Sequence, residues 1–478
     1  MKLRKKLSYG VMAVMAAGLW AAPLWAQQEG DEKPKPAARV MLPLPDLNGD
    51  QQDSDQGAQA MQPDHGPVSG VQSATLGTSQ LRHSYWVPGV QYSNALQSSP
   101  AGATGNSGWA STNYVSGSLS MLDAWSHALL SVNYSGGGFF STDAAQGNGQ
   151  YHQLASTFEV DQRRWQALFM DQFSYLPESS FGFGGTSGLA SPGISGSLGA
   201  PSPGLQNNFV PGQTILSANG GRYSNSSIAQ VNYQLSQRGS VTVAVVYGLL
   251  RFLNAGNISS DTETLNTGYN YAITRKDSIG MIYRFSAFHY QGVPQAQGDH
   301  EVQLVYGRKI TGRLALNLSG GLAVVRFRVP INGSKQSISG SGSGTLIYAF
   351  YSSTVRLSYT HGVSSGSGVL SGANTDQINA TWSRPLSRAW NGNLSFGYAK
   401  NSPIVAVTGL NAPSYNAWTP GAGLSRPLGR NASLSLGYQA QIQTSNVPLC
   451  NTPNCGMSST AHQIFLSVQW HTAPQVLR

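Results

Sequence analysis

The stretch SLSLGYQAQIQT, Ser433 to Thr444, alternates almost without a break. Leu434, Leu436, Tyr438, Ala440 and Ile442 share one face; Ser433, Ser435, Gly437, Gln439, Gln441 and Gln443 share the other. A period of two puts successive side chains on opposite sides of a strand, so this segment has one apolar and one polar surface. Two geometries accommodate it. In a soluble sandwich the Leu/Tyr face is the core. In a membrane-spanning barrel that face meets lipid and the Gln/Ser face lines a water-filled interior.

Composition separates the two. Charged residues make up 10% of the chain, against about 25% in a typical soluble domain. Uncharged polar residues and 56 glycines fill the gap, and at 40% hydrophobic the chain is too polar for a bundle of membrane helices. So little charge is a poor surface for water but suits a wall that is lipid-facing outside and polar inside.

The N-terminal residues Lys2, Arg4, Lys5 and Lys6 precede an apolar run from Leu7 to Ala26. This reads as a signal peptide over residues 1–26. No later run approaches the ~20 apolar residues a membrane helix needs. The net charge of +9 falls to +5 once those four basic residues are removed. The remaining bases are scattered, which argues against a nucleic-acid partner. Residues 27–80, rich in Pro, Gly, Asp and Gln, are expected to form a disordered periplasmic tail. Within it Asp46, Asn48 and Asp50 have calcium-loop spacing, but Gln51 stands where the sharp turn needs Gly, and Gly57 where a Glu ligand belongs. This is a solvated acidic linker, and no metal or cofactor is expected.

From His83 onward alternating segments follow one another, among them AQVNYQLS (Ala229–Ser236), VTVAVVYGL (Val241–Leu249) and IFLSVQW (Ile464–Trp470). Short connections fall near Asp123–Ser126, Asp161–Arg164, Gln237–Gly239, Arg275–Asp277, Ile310–Gly312, Tyr351–Ser353, Leu386–Trp390 and Leu428–Asn431. Nine longer ones alternate with them, including Pro177–Gly221, Gln291–Asp299, Val329–Gln336 and Gly362–Gly372. Eight short and nine long connections predict eighteen strands, or sixteen if one weak hairpin is lost. The fold class is therefore all-β: a transmembrane antiparallel up-and-down barrel over residues 81–478, with turns and both termini periplasmic. Trp125, Trp165, Trp390 and Trp470 beside the short turns fit an interfacial girdle. SRPLSRAWNGNLSFGY (Ser383–Tyr398) and SRPLGRNASLSLGY (Ser425–Tyr438) repeat one such unit.

Parity assigns Arg284, Arg356, Glu301 and Glu159 to the polar face, as pore-lining residues. The alternative role is hydration of the bore and cross-strand pairing. A lipid-facing Arg near the midplane would cost roughly 2–4 kcal/mol. Asp171 shares parity with Trp165 and Phe169 and breaks the rule unless a bulge or the membrane rim intervenes.

Pro177, Glu178 and the displaced Phe183, Gly184 and Gly185 open the longest loop. In this the chain resembles the general porins, whose third loop carries a Pro-Glu-Phe-Gly-Gly motif and folds into the bore. The resemblance implies a constriction loop; the acidic cluster that follows in general porins is missing, which implies weak charge selectivity. The barrel repeat also resembles uncharacterised barrels found beside exopolysaccharide and exosortase export systems. GVSSG (Gly362–Gly366) matches G-x-S-x-G, but in a Ser/Gly-rich loop rather than at a strand-to-helix elbow, so no enzyme is expected. Cys450 and Cys455 are expected to form one disulfide.

These readings lead to an outer-membrane channel for passive diffusion of small, mostly neutral solutes. The alternative is an export conduit or structural barrel of a surface-polysaccharide system. The expected partners are outer-membrane lipid, small solutes and the barrel-assembly machinery; homo-oligomerisation is left open.

Overall fold

The computed structural model describes residues 84–98, 108–142, 147–176, 221–253, 257–274, 276–331, 333–366, 368–405, 413–447 and 457–477. The leader, the tail, Pro177, Glu178, Phe183, Gly184, Gly185, Cys450 and Cys455 lie outside them.

Eighteen long strands follow one another: β1 (Tyr85–Ser98), β2 (Trp109–Ala124), β3 (Ala128–Ser141), β4 (Gly149–Asp161), β5 (Trp165–Leu176) and β6 (Arg222–Gln234). Then come β7 (Gly239–Phe252), β8 (Ser260–Ala272), β9 (Asp277–Tyr290), β10 (Ala296–Lys309), β11 (Leu314–Ile331) and β12 (Ser334–Ala349). The series closes with β13 (Thr354–Ser364), β14 (Ala373–Pro385), β15 (Asn391–Pro403), β16 (Tyr415–Pro427), β17 (Ala432–Ser445) and β18 (Ser458–His471), with a two-residue β19 (Gln475–Val476) beside β1. Each strand pairs antiparallel with its chain neighbours, and β1 pairs with β18 from Gly89↔His471 to Gln97↔Gln463. The sheet is therefore a closed barrel of eighteen strands, with no free edge along its wall.

Burial runs opposite to that of a soluble protein. On β17, Leu436 and Tyr438 are exposed at 43% and 41%, while Gln439 and Gln443 are each at 1%. The same inversion covers much of β1, β10 and β18, where Val, Leu, Tyr and Ile face out and Ser, Gln, Asp and Glu are buried, whereas β7 also turns Ala244, Val246 and Leu250 inward. Such a wall is stable only in an apolar solvent, because exposing this much hydrocarbon to water costs about 25 cal/mol per Å².

All eight short turns fall where the sequence places them, and four share one mechanism. After an apolar residue, a Ser or Thr hydroxyl accepts from a backbone N–H three residues on: Ser236 from Gly239 (2.9 Å), Thr274 from Asp277 (2.9 Å), Thr311 from Leu314 (3.1 Å) and Ser387 from Trp390 (3.2 Å). These hydroxyl turns end the alternation without a long loop. Exposed Trp125, Trp165 and Trp470 mark this rim.

Two long connections are shorter than the sequence suggests. Val329–Gln336 is not a loop, since β11 continues to Ile331 and β12 begins at Ser334, with Gly333 between them at φ +78°. Asn-Gly is a strong hairpin signal, and a register shift between Arg326 and Ile331 absorbs Pro330. Gln291–Asp299 shrinks because β10 begins at Ala296, which makes Asp299 a strand residue.

On the outer wall a belt of tyrosines recurs. In seven hairpins a Tyr of the first strand hydrogen-bonds a polar side chain on the second, two residues nearer the long-loop rim than the residue directly opposite. The pairs are Tyr92–Asn113 (2.8 Å), Tyr134–His152 (2.9 Å), Tyr247–Asp261 (3.4 Å), Tyr283–His300 (2.9 Å), Tyr359–Asp376 (2.8 Å), Tyr398–Asn416 (3.2 Å) and Tyr438–His462 (2.9 Å). In β5–β6 Asp171 takes the Tyr position and accepts from Asn225 at 3.2 Å. Asp171 thus faces outward in regular register, without a bulge. It stands at the height where other hairpins turn from ring to hydroxyl. Rings below and polar tips above mark an interface. At about 2.5 Å of height per tilted residue, the apolar band down to the tryptophans is roughly 20 Å tall.

Candidate functional site in the barrel interior

Away from the turns, six charged side chains fall on the inward face: Glu159, Arg222, Arg284, Asp299, Glu301 and Arg356. They are three acids and three bases, so their charges cancel overall. Glu159, on β4, accepts from Gln166 of β5. Arg356 lies on β13 between outward Val355 and Leu357, and Arg222 opens β6 at the long-loop end.

The densest group belongs to β9 and β10. Arg284 and Glu301 are direct cross-strand neighbours and form an ion pair, with side chains 16% and 2% exposed. Gln303 donates to the Glu301 carboxylate and to Ser341 Oγ (3.2 Å). Asp299 lies two residues further up on the same face, almost fully buried. Two acids thus share one arginine, whose guanidinium reaches toward β13. A Cβ built on Gly362 would sit 3.7 Å from its Nη2, at ordinary contact distance, which places the guanidinium beside β13.

Above this cluster the described residues of the β13–β14 connection, Ser365, Gly366 and 368–372, reach over to the β7–β10 side of the mouth. Gly368 O accepts from the Ile258 N–H at 2.7 Å, and Ser371 O accepts from Gln297 Nε2 at 2.5 Å. Gly366, Gly368 and Gly372 have φ of +82°, +80° and +92°. A Cβ on Gly368 would lie 2.3 Å from the Phe252 ring, and one on Gly372 2.5 Å from the Gln297 amide. Beside this loop Ile404 packs with Val325 and Phe327, with Ile331, Val363 and Val405 against them.

The structure therefore gathers Arg284 and Glu301 into one site, while Glu159 and Arg356 stand apart from it. Ser364 of the G-x-S-x-G match ends β13, its hydroxyl 2.7 Å from Thr375 Oγ1, in a strand and not at an elbow. Sequence reasoning missed Asp299 by placing it in a loop, although DHEVQLVY (Asp299–Tyr306) already alternates. It also missed the inward reach of the β13–β14 connection, for which the three glycines were the signal.

A closed β-barrel with an apolar exterior and a polar, charge-balanced interior is the class that the geometry defines. No protein-family model matches the sequence, and no curated protein is significantly similar to it. Solved structures do resemble it loosely. They include Pseudomonas aeruginosa OccK5 (OpdH), at 11% identity and TM-score 0.42, covering 81% of this chain and 98% of that one. The outer membrane protein opdK of the same organism is 11% identical with TM-score 0.40 over the same shares. Acinetobacter baumannii OccAB1 is 8% identical with TM-score 0.41, covering 81% and 97%. At such distances the fold assignment rests on the strand pairing described above.

Proposed function

We propose that the chain is an outer-membrane channel through which small, mostly neutral hydrophilic solutes diffuse passively. Its short turns and both ends are periplasmic, and it reaches the membrane through a cleaved leader and the assembly machinery. One observation carries this reading: eighteen strands close on themselves with inward rows that are mostly polar and an outer wall that is mostly apolar. A wall of this kind separates a hydrophilic path from lipid. Three inward acids against three inward bases leave little net field to favour either ion sign, so uncharged solutes meet the smallest barrier. Arg284, Glu301, Arg356 and Glu159 line the path in this proposal. The Pro177–Gly221 loop, with Pro177, Glu178, Phe183, Gly184 and Gly185, is proposed as a further constriction, and Cys450–Cys455 as a disulfide. Purified barrel in planar bilayers should give stable conductance steps and admit neutral sugars in a liposome-swelling assay. A preparation that is folded yet electrically silent would contradict it.

A second reading, an export conduit or structural barrel of a polysaccharide system, draws on the β13–β14 connection being tied to the β8–β10 side of the mouth. It predicts silence in the intact barrel and conductance only after that loop is deleted.

A further inference from the structure

The tyrosine belt is present on seven hairpins and matched on β5–β6, but β11–β12 breaks it. There the outward positions at belt height are Gly320 and its neighbours Gly342 and Gly340, which carry no polar tip. Further up the same outward row, beyond Leu322 and Val324, stand Arg326 and then Arg328, both exposed. Arg326 stands between Gly298 of β10, which the Phe285 ring adjoins, and Gln336 of β12. Neither arginine has an ion-pair partner among the described residues. The contrast is Arg251, the outward arginine above the belt on β7, which Asp261 neutralises at 2.6 Å. Below the two arginines Leu322 and Ile338 are 63% and 64% exposed, and the glycines leave the wall between them low.

Two guanidinium groups without a protein counter-charge on the outward wall above the belt are open to an anion from the outer leaflet. Guanidinium matches phosphate with paired N–H donors, and headgroup phosphates occupy the polar layer above the hydrocarbon, within which long arginine side chains can reach down. We infer that Arg326 and Arg328 bind the phosphate of a phosphorylated glycolipid of the outer leaflet, its acyl chains lying against Leu322 and Ile338. This rests on the proposed outer-membrane placement, with the long-loop rim outside.

The test uses the full chain in detergent, incubated with bis-phosphorylated lipid A or with its dephosphorylated form, and bound lipid counted by native mass spectrometry. Wild type should retain the phosphorylated lipid about tenfold better than the dephosphorylated one, the factor that corresponds to 1.4 kcal/mol. Arg326→Gln with Arg328→Gln should abolish that preference, and Arg326→Lys with Arg328→Lys should keep part of it. Equal retention of both lipids by wild type, or equal retention by wild type and the Gln pair, would overturn the site. Bilayer conductance of the same preparations reads the channel separately. Phosphate-dependent retention in a silent barrel would support the site and sink the channel, and conductance without lipid preference would do the reverse.

Discussion

Replacing Gly368 by valine should lift the β13–β14 loop off the mouth. Gly368 sits at φ +80°, a conformation that costs an L-residue about 1–2 kcal/mol. Its new Cβ would also fall 2.3 Å from a Phe252 ring carbon and 2.4 Å from the next, an overlap of the kind that costs roughly 1–3 kcal/mol when packed groups must shift. Against this strain stand two hydrogen bonds to the β8–β10 side of the barrel, from Ile258 N–H and Gln297 Nε2, each contributing about 1 kcal/mol net. The penalty therefore matches or exceeds the hold, and each 1.4 kcal/mol of difference shifts the open-to-closed ratio about tenfold. Single-channel recording should show larger or longer-lived openings in Gly368→Val than in wild type. Hydrogen exchange at the Ile258 amide should speed up in parallel. Fast exchange with unchanged conductance would refute the idea that this loop limits the path, and slow exchange would refute the strain argument itself.

Arg284→Gln leaves Glu301 and Asp299 facing the interior without their shared cation, so reversal potentials in a salt gradient should move toward cation selectivity. Adding Glu301→Gln should bring them part of the way back. Tyr283→Phe removes the hydroxyl that bonds His300 and should lower barrel stability by about 0.5–1.5 kcal/mol, read as the denaturant midpoint of refolded protein. Asp171→Tyr combined with Asn225→His recreates in β5–β6 the pair seen at Tyr134–His152. It should raise that midpoint, and a drop would show that the belt positions are not equivalent.

Strand number and short turns were legible because both rest on local chemistry. Alternation identifies each strand, and a Ser or Thr after an apolar residue ends it, as at Ser236 and Thr311. Faces were legible too: Arg284 and Glu301 sit on the polar parity and turn inward. Asp171 looked like a violation because parity reports the face and not the height. Only the lateral comparison with Tyr134 and Tyr283 places it at an interface. The mouth was least legible. Gly368 and Ile258 are far apart in sequence, and no periodicity signals a contact made by a loop carbonyl.

The central claim is that the Leu/Tyr rows face lipid and the Gln/Ser rows face a hydrophilic interior. Adjacent residues of β17 test it within one strand, since Leu436 points out and Ser435 in. The measurement is the folded fraction, read as heat-modifiable mobility after assembly into bilayers, of Leu436→Arg beside Ser435→Arg. The expected result is a loss for Leu436→Arg equivalent to about 2 kcal/mol, with Ser435→Arg assembling close to wild type. Equal tolerance at both positions, or a greater loss at Ser435, would contradict the inside-out barrel.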